Sequence, residues 1–363
     1  MSGARTILIV GAGPTGLTAA VELARCGVAP RIIDRDPGPT PLSKAAGIAA
    51  RTLDFLEPSG VTERLLAEGI RIRHGHVRFE GRKLGTIDFS VLPHRHNFML
   101  ALPQSATEQG LADVLAKMGV SIEWNTRLAK LERTNGQVAV ELHGPAGPEQ
   151  ARYDYVFGAD GVHSTVREAA GLAFEGYVHA RTWSIADATL AGWPYEPDAA
   201  HLFFHRNGDL GFIIPIGDAT YRAVSNTADA LAQVPGAYRI TQRLRADTFH
   251  IPVKQAARYQ DGGIFLGGDA AHVHSPVGAR GMNLGIEDAA AFARRLVADQ
   301  LDGYTAERRP VGQRWIKLSE RILATAQASD PVRVALRNLA IRLIGHLPAL
   351  QRPMLMRGAG LKE

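Results

Sequence analysis

The sequence predicts an α/β protein in which a Rossmann-like nucleotide-binding domain is interleaved with a mixed β-sheet domain and followed by C-terminal helices. Three observations predict it. The apolar run Thr6 to Val10 opens into Gly11-Ala12-Gly13-Pro14-Thr15-Gly16 and then a helical pattern. Strand-like stretches interrupt the helical ones as if the chain left its first domain twice and returned. From Arg308 onward the pattern is predominantly helical.

The 363 residues, 45% hydrophobic and 21% charged, are enough for two domains sharing one crevice. No apolar run reaches the roughly 18 residues of a membrane span. The apolar start meets glycines without a signal-peptide cleavage pattern, so a cytoplasmic location is expected. Cys26 is the single cysteine. It excludes an intrachain disulfide and, on the apolar face of the first helix, reads as a packed thiol. The net charge of +5 is concentrated near the end, where ten Lys or Arg between Arg308 and Arg357 meet only Glu320 and Asp330. The rest is slightly acidic, and no nucleic-acid partner is expected.

In chain order, Thr6 to Val10 has the β-branched, uninterrupted apolar character of a buried parallel strand. Leu17, Ala20, Val21 and Ala24 recur at helical spacing up to Gly27, and Arg31 to Asp34 reads as a second strand. Val77 to Phe89 is strand-like with turn signals at Gly81 and Gly85, whereas Gln104 to Met118 is helical through Leu111, Val114, Leu115 and Met118. Further strands are expected at His201 to His205, Leu210 to Ile216, Tyr221 to Asn226 and Ile264 to Leu266, and a helix at Leu284 to Val297. The nucleotide-binding domain is thus assigned to residues 1–70, 101–172 and 262–307. Residues 71–100 and 173–261 form the second domain, and 308–363 a helical segment.

Three motifs carry the chemistry. Gly11 to Gly16 fits G-x-G-x-x-G between strand and helix: Gly11 permits the turn, Gly13 lets backbone approach a pyrophosphate, and Gly16 lets helix and strand pack closely. Asp34, at the end of the second strand, is placed to accept from a ribose hydroxyl. The motif alone does not distinguish one dinucleotide from another. In Gly158-Ala159-Asp160-Gly161, continuing to Arg167, and in Gly267-Gly268-Asp269, a strand ends in small residues and a carboxylate that can bind a polyol. An Asp capping a strand-turn-helix crossover fits either stretch equally well. The segment Ser275 to Asn283 leads into a helix whose start can face an anion.

In this order the motifs resemble those of the class A flavoprotein monooxygenases, the para-hydroxybenzoate hydroxylase family, from Ile7 to about Glu307. The resemblance implies an FAD-binding domain, with Gly11, Gly13, Pro14, Thr15 and Gly16 at the pyrophosphate and Asp34 at the ribose. It also implies that Asp160, Gly161 and Arg167 serve both FAD and NAD(P)H, and that Gly268 and Asp269 bind the ribityl chain. Gln104, in Leu102-Pro103-Gln104, matches a flavin contact. Lys44 stands where the family usually has Arg, a point charge in place of a planar fork. Ala279-Arg280 replaces the usual Gly-Gln and is expected to put a cation beside the flavin ring. Pro276 and Arg280 are therefore the candidate catalytic positions, and Gly281, Met282 and Asn283 the helix start that stabilises the reduced ring. Arg35 bears on the choice between NADPH and NADH.

The implied cycle is reduction of FAD by NAD(P)H, addition of O2 at flavin C4a as a hydroperoxide, and attack on it by an electron-rich aromatic substrate, phenolic or polyketide-like. Epoxidation by the same fold and a redox-silent FAD-binding partner protein are the alternatives. Phe203, Phe212, Ile214 and Pro215 are candidate substrate walls, with His205 and Asp187 as polar contacts. The i, i+2 pairs His74/His76, His94/His96 and His272/His274 come without a Cys cluster or H-E-x-x-H helix, and no metal is expected. Val332, Leu336, Leu339, Leu343 and Leu347 recur at helical spacing. Packing against the FAD domain explains them more simply than docking on a membrane surface. A monomer or a homodimer fits equally.

Overall fold

The computed structural model describes residues 5–40 and 45–362. Its first sheet has six strands, in the order Gln260–Asp261, Ile264–Leu266, Tyr155–Gly158, Ile7–Val10, Arg31–Ile33 and Ile122–Glu123. The four inner strands run parallel and are buried on both faces, as their unbroken apolar sequences require. Helices Pro14–Arg25 and Gly281–Val297 pack together beside this sheet, with Leu17, Ala20, Ile286, Ala289 and Phe292 in one core. A three-stranded antiparallel sheet over residues 127–153 completes this part.

The second large sheet has seven strands, ordered Arg239–Phe249, Trp183–Ala191, Thr220–Ser225, Leu210–Gly217, Ala200–Phe204, His74–Phe79 and Arg82–Asp88. It draws on both excursions from the first domain. Register fixes its two faces, because side chains alternate along each strand. Leu202, Phe212, Ile214, Arg222 and Asp187 share the inner face, where Phe212, Ile214 and Ile216 pack with Ala46, Ile72, Met99 and Ala101. Phe203, Ile213, Ala186 and Ala188 share the outer face, packed under Trp193, Tyr195, Leu231 and Tyr238.

Three local expectations are corrected. Gly85 lies within a strand, not a turn. A Cβ there would meet the Ile341 carbonyl oxygen at 2.9 Å, so glycine lets helix Pro331–His346 lie on the strand. Cys26 follows the last residue of its helix and is exposed. Finally, Arg337 and Ile341 pack helix Pro331–His346 against the second sheet and Val334 is buried, while Val332, Leu336, Leu339, Leu343 and Leu347 are 48–66% exposed. The apolar stripe therefore does not pack on the nucleotide-binding domain. Among the described residues no helix is long and apolar enough to cross a membrane.

Candidate active site

The turn after the first strand is built by close backbone approach. Gly11 has φ +105°, and a Cβ on it would sit 2.4 Å from the Ala159 carbonyl oxygen. One on Gly16 would lie 1.8 Å from the Gly11 oxygen, so only glycine brings helix and strand together here. Gly13 differs, because nothing lies within 4 Å of where its Cβ would be. That open space adjoins the start of helix Pro14–Arg25, where unpaired amides and the helix dipole favour an anion. At the end of the next strand, Asp34 accepts from the amides of Ala12 (2.6 Å) and Asp36 (2.9 Å), which holds its carboxylate beside the turn. Arg35 is exposed next to it.

The other two motifs converge on the same turn. Cβ atoms on Gly268 and Gly285 would meet Thr15 Oγ1 at 2.5 and 2.2 Å, so the third motif and helix Gly281–Val297 interlock with the first. This brings Asp269 to the same edge. Arg167 ties the second motif to the third by donating to the carbonyls of Val162 and Ala270, both at 3.0 Å, and lies over Phe174 at 3.9 Å. Asp160 is half-buried, and its desolvation raises its pKa. Its carboxyl accepts from Ser164 Oγ (2.5 Å) and the Val166 amide (3.1 Å), so its side chain shapes the Gly161 turn, where φ is +82°.

The segment before helix Gly281–Val297 is a tight turn, with Ala279 donating to the Pro276 carbonyl at 3.0 Å. Gly278 has φ +94° and Ala279 φ +52°, a left-handed conformation that costs a residue with a side chain about 1 kcal/mol. Pro276 is exposed on this turn, and Met282 is partly buried against the core. Asn283 uses its whole side chain internally. It accepts from Ala49 N and Thr52 Oγ1 and donates to the carbonyls of Gly47 and Ala279, at 2.7–3.0 Å. Its amide in the first helical turn stays in the set that faces an anion.

Arg280 corrects an expectation. Its guanidinium is buried, pairs with Glu287 at 2.5 Å and lies over Trp315 at 5.0 Å. Two turns along the helix, Glu287 sits on the same face and pairs with the cation inside the fold. Arg280 thus belongs to a buried network that the sequence reading missed. Arg308 bridges Glu287 (3.4 Å) and Asp288 (2.7 Å), and Asp288 also accepts from His272 Nε2 (2.7 Å) and the Gly268 amide (3.0 Å). Burial alone would raise Asp288, but Arg308 and His272 hold it below the usual carboxylate range. A Glu-Asp pair inside an Ala-rich buried helix was the available signal. Gln104 donates to Glu108 at 2.8 Å and accepts weakly from the Ala45 amide at 3.4 Å. Burial, then Asp34, raises the Glu108 pKa. Lys44 lies outside the described residues.

The substrate candidates divide by face. Phe212 and Ile214 line the inner face with Met99, which lies 3.0 Å from the Cβ position of Gly47; the Ala279 Cβ is 3.3 Å from the same point. The inner face therefore adjoins the 276–280 turn. Phe203, His205 and Pro215 point outward, so the sheet separates them from the turn. His205 bonds to the Gln233 carbonyl on that side at 3.1 Å. Asp187 is on the inner face, but both its oxygens accept from Arg222, each at 2.7 Å, and Arg222 also donates to the Ala45 carbonyl. Arg222, unnoticed in the sequence, fastens the sheet to the segment before Ala46.

A family model described as FAD binding domain matches residues 4–233 and 218–319. The chain is 36% identical over 359 residues to the 6-methylpretetramide 4-monooxygenase of Streptomyces rimosus, covering 92% of this chain and 62% of that protein. The OxyS anhydrotetracycline hydroxylase from Streptomyces rimosus is similar in structure, with TM-score 0.82 and 30% identity over 99% of this chain and 76% of that one. The p-nitrophenol 4-monooxygenase PnpA from Pseudomonas putida DLL-E4 shares the fold, with TM-score 0.89 and 22% identity over 97% and 98% of the two chains. This chain spans less than two thirds of the length of the first of these relatives.

Proposed function

The chain belongs to the FAD-binding family of class A flavoprotein monooxygenases, and from that premise we propose that it hydroxylates a polycyclic phenolic compound in the cytoplasm, using NAD(P)H and O2. The observation that carries the reading is the convergence of three glycine-and-carboxylate motifs on one cradle, whose adjoining turn meets an apolar sheet face.

The residues present fit FAD. The amides around Gly13 and the start of helix Pro14–Arg25 would hold the pyrophosphate in the space that glycine leaves open, and Asp34 would accept from the ribose. Asp269 would meet the ribityl hydroxyls. The amides of Gly281, Met282 and Asn283 would face the pyrimidine edge of the ring, where a helix start favours negative charge. Bound FAD supplies the acceptance of reducing equivalents and the activation of O2. Arg280 would act through Glu287 to position the turn, and Pro276 would border the ring.

Phe212, Ile214, Ile216 and Met99 would hold the flat apolar body of the substrate and exclude water from the reacting edge. The reductant would enter a cleft of about 530 Å³ beside the second motif, lined by His163, Arg167, Glu168, Phe174, His250 and Lys254. Its cations suit a dinucleotide's phosphates. Relatives named for tetracycline-type compounds support the polycyclic substrate class.

The test is NAD(P)H oxidation by the FAD-loaded protein across a panel of tetracyclic and simple phenols. The expected result is acceleration by a tetracyclic phenol with one oxygen atom gained in the product. Oxidation insensitive to every phenol would favour the redox-silent reading, and oxygen gained only at an isolated alkene would favour the epoxidase.

A further inference from the structure

We propose that His74, His76 and Glu196 form a site for a borderline divalent cation, Zn2+ being the first choice, on the outer face of the seven-stranded sheet. His74 and His76 are i, i+2 on one strand, so both rings project from the same side. Glu196 reaches them from a turn some 120 residues later, a third ligand that the spacing of the histidine pair does not reveal, so the expectation of no metal is revised here. Its two carboxylate oxygens lie 2.8 Å from His74 Nδ1 and 2.8 Å from His76 Nε2, and all the donor atoms fall within 4.8 Å of one another.

The surroundings orient the donors as the second shell of a metal centre does. The other ring nitrogen of His76 lies 3.2 Å from Thr86 Oγ1. With its proton on Nδ1, His76 donates to that hydroxyl and turns the Nε2 lone pair toward the ion. Glu196 is fixed through its backbone, whose carbonyl accepts from His201 Nε2 at 2.9 Å. His76 and His201 are buried, while His74 and Glu196 are half-exposed, which gives the ion a path from solvent. Two imidazoles and a carboxylate suit Zn2+, Co2+, Ni2+ or Cu2+ over the oxygen-seeking Mg2+ or Ca2+. Lys83 and Arg78 oppose a cation here and the Glu196 charge offsets them. Occupancy would fasten the turn carrying Trp193 and Tyr195 to the outer face. The site is separated by the sheet from the proposed substrate face, so the two readings stand or fall independently.

The experiment is calorimetric titration of the FAD-loaded, chelator-treated protein with Zn2+ at pH 7.5, repeated for His74→Ala, Glu196→Gln and, as a control in a different histidine pair, His94→Ala. The expected result is one saturable equivalent in the parent and in His94→Ala, with affinity at least about tenfold weaker in the other two variants and an unchanged flavin spectrum in all. Absence of saturable binding in the parent overturns the proposal. So does retention of full affinity by His74→Ala, or its loss in His94→Ala.

Discussion

The nucleotide cradle and the seven-stranded sheet are both made of strands carrying buried apolar residues, yet they specify position differently. In the cradle, backbone lies on backbone where Gly11 meets Ala159 and Gly16 meets Gly11, and on one short side chain where Gly268 and Gly285 meet Thr15. In the sheet, position is a matter of parity. Phe203 and Phe212 lie on neighbouring strands, one pointing outward and the other inward, because register pairs Phe203 with Gly211 and Leu202 with Phe212. A cradle position is defined by what cannot be added there, and a sheet position by which side it faces.

Substitution can break this contrast. The largest effect is expected in the cradle: Gly13→Val adds a side chain where the fold has room, so the protein should fold with an unchanged circular dichroism spectrum and purify without flavin. Gly16→Ala, whose new atom would overlap the Gly11 oxygen, should instead fail to fold. Arg308→Met leaves Glu287 and Asp288 buried with fewer partners and should lower unfolding free energy by about 3–5 kcal/mol in a denaturant titration. On the sheet, the outward Phe203→Ala should cost about 3 kcal/mol and leave KM for the aromatic substrate near its parent value. The inward, half-buried Phe212→Ala should cost less stability and raise KM about tenfold, near 1.4 kcal/mol of binding.

Buried histidines give a smaller effect with a defined sign. Burial first, and neighbouring cations or histidines second, hold His201 and His274 near pKa 4, below their ordinary 6.5. The unfolded chain therefore binds more protons between those values, and stability falls as pH drops through that window. Each should contribute on the order of 1–2 kcal/mol of loss between pH 7 and pH 5. His201→Gln and His274→Gln should each flatten the slope of Tm against pH. Smallest of all, Ala279→Gly relieves a positive φ and should raise stability by up to about 1 kcal/mol.

The same contrast explains what could be read from the sequence. Strand, glycine turn, helix and terminal acid are local patterns, so the four inner strands of the first sheet, its long helices and the three motifs were legible. What the motifs' side chains do was less so. Asp160 joins a local hydrogen-bond set with Ser164, and Arg280 turns inward to Glu287, because partners several residues away compete for groups a motif would assign to the cofactor. In the sheet, apolar residues occupy both faces, since Trp193, Tyr195 and Tyr238 cover the outer one. Alternation then gives no sign of which face is which. The edge strand Arg239–Phe249 was missed for the opposite reason: most of its residues are exposed, so it carries no apolar period.

The central claim is that the cradle and the inner sheet face together direct one oxygen atom from O2 onto an aromatic substrate. Turnover of the FAD-loaded protein under isotopically labelled O2 in ordinary water, with a tetracyclic phenol and NAD(P)H, tests it most directly. Mass spectrometry should find one labelled oxygen on the ring of the product. Unlabelled product, or NAD(P)H consumption that yields only hydrogen peroxide with every phenol offered, would contradict the account.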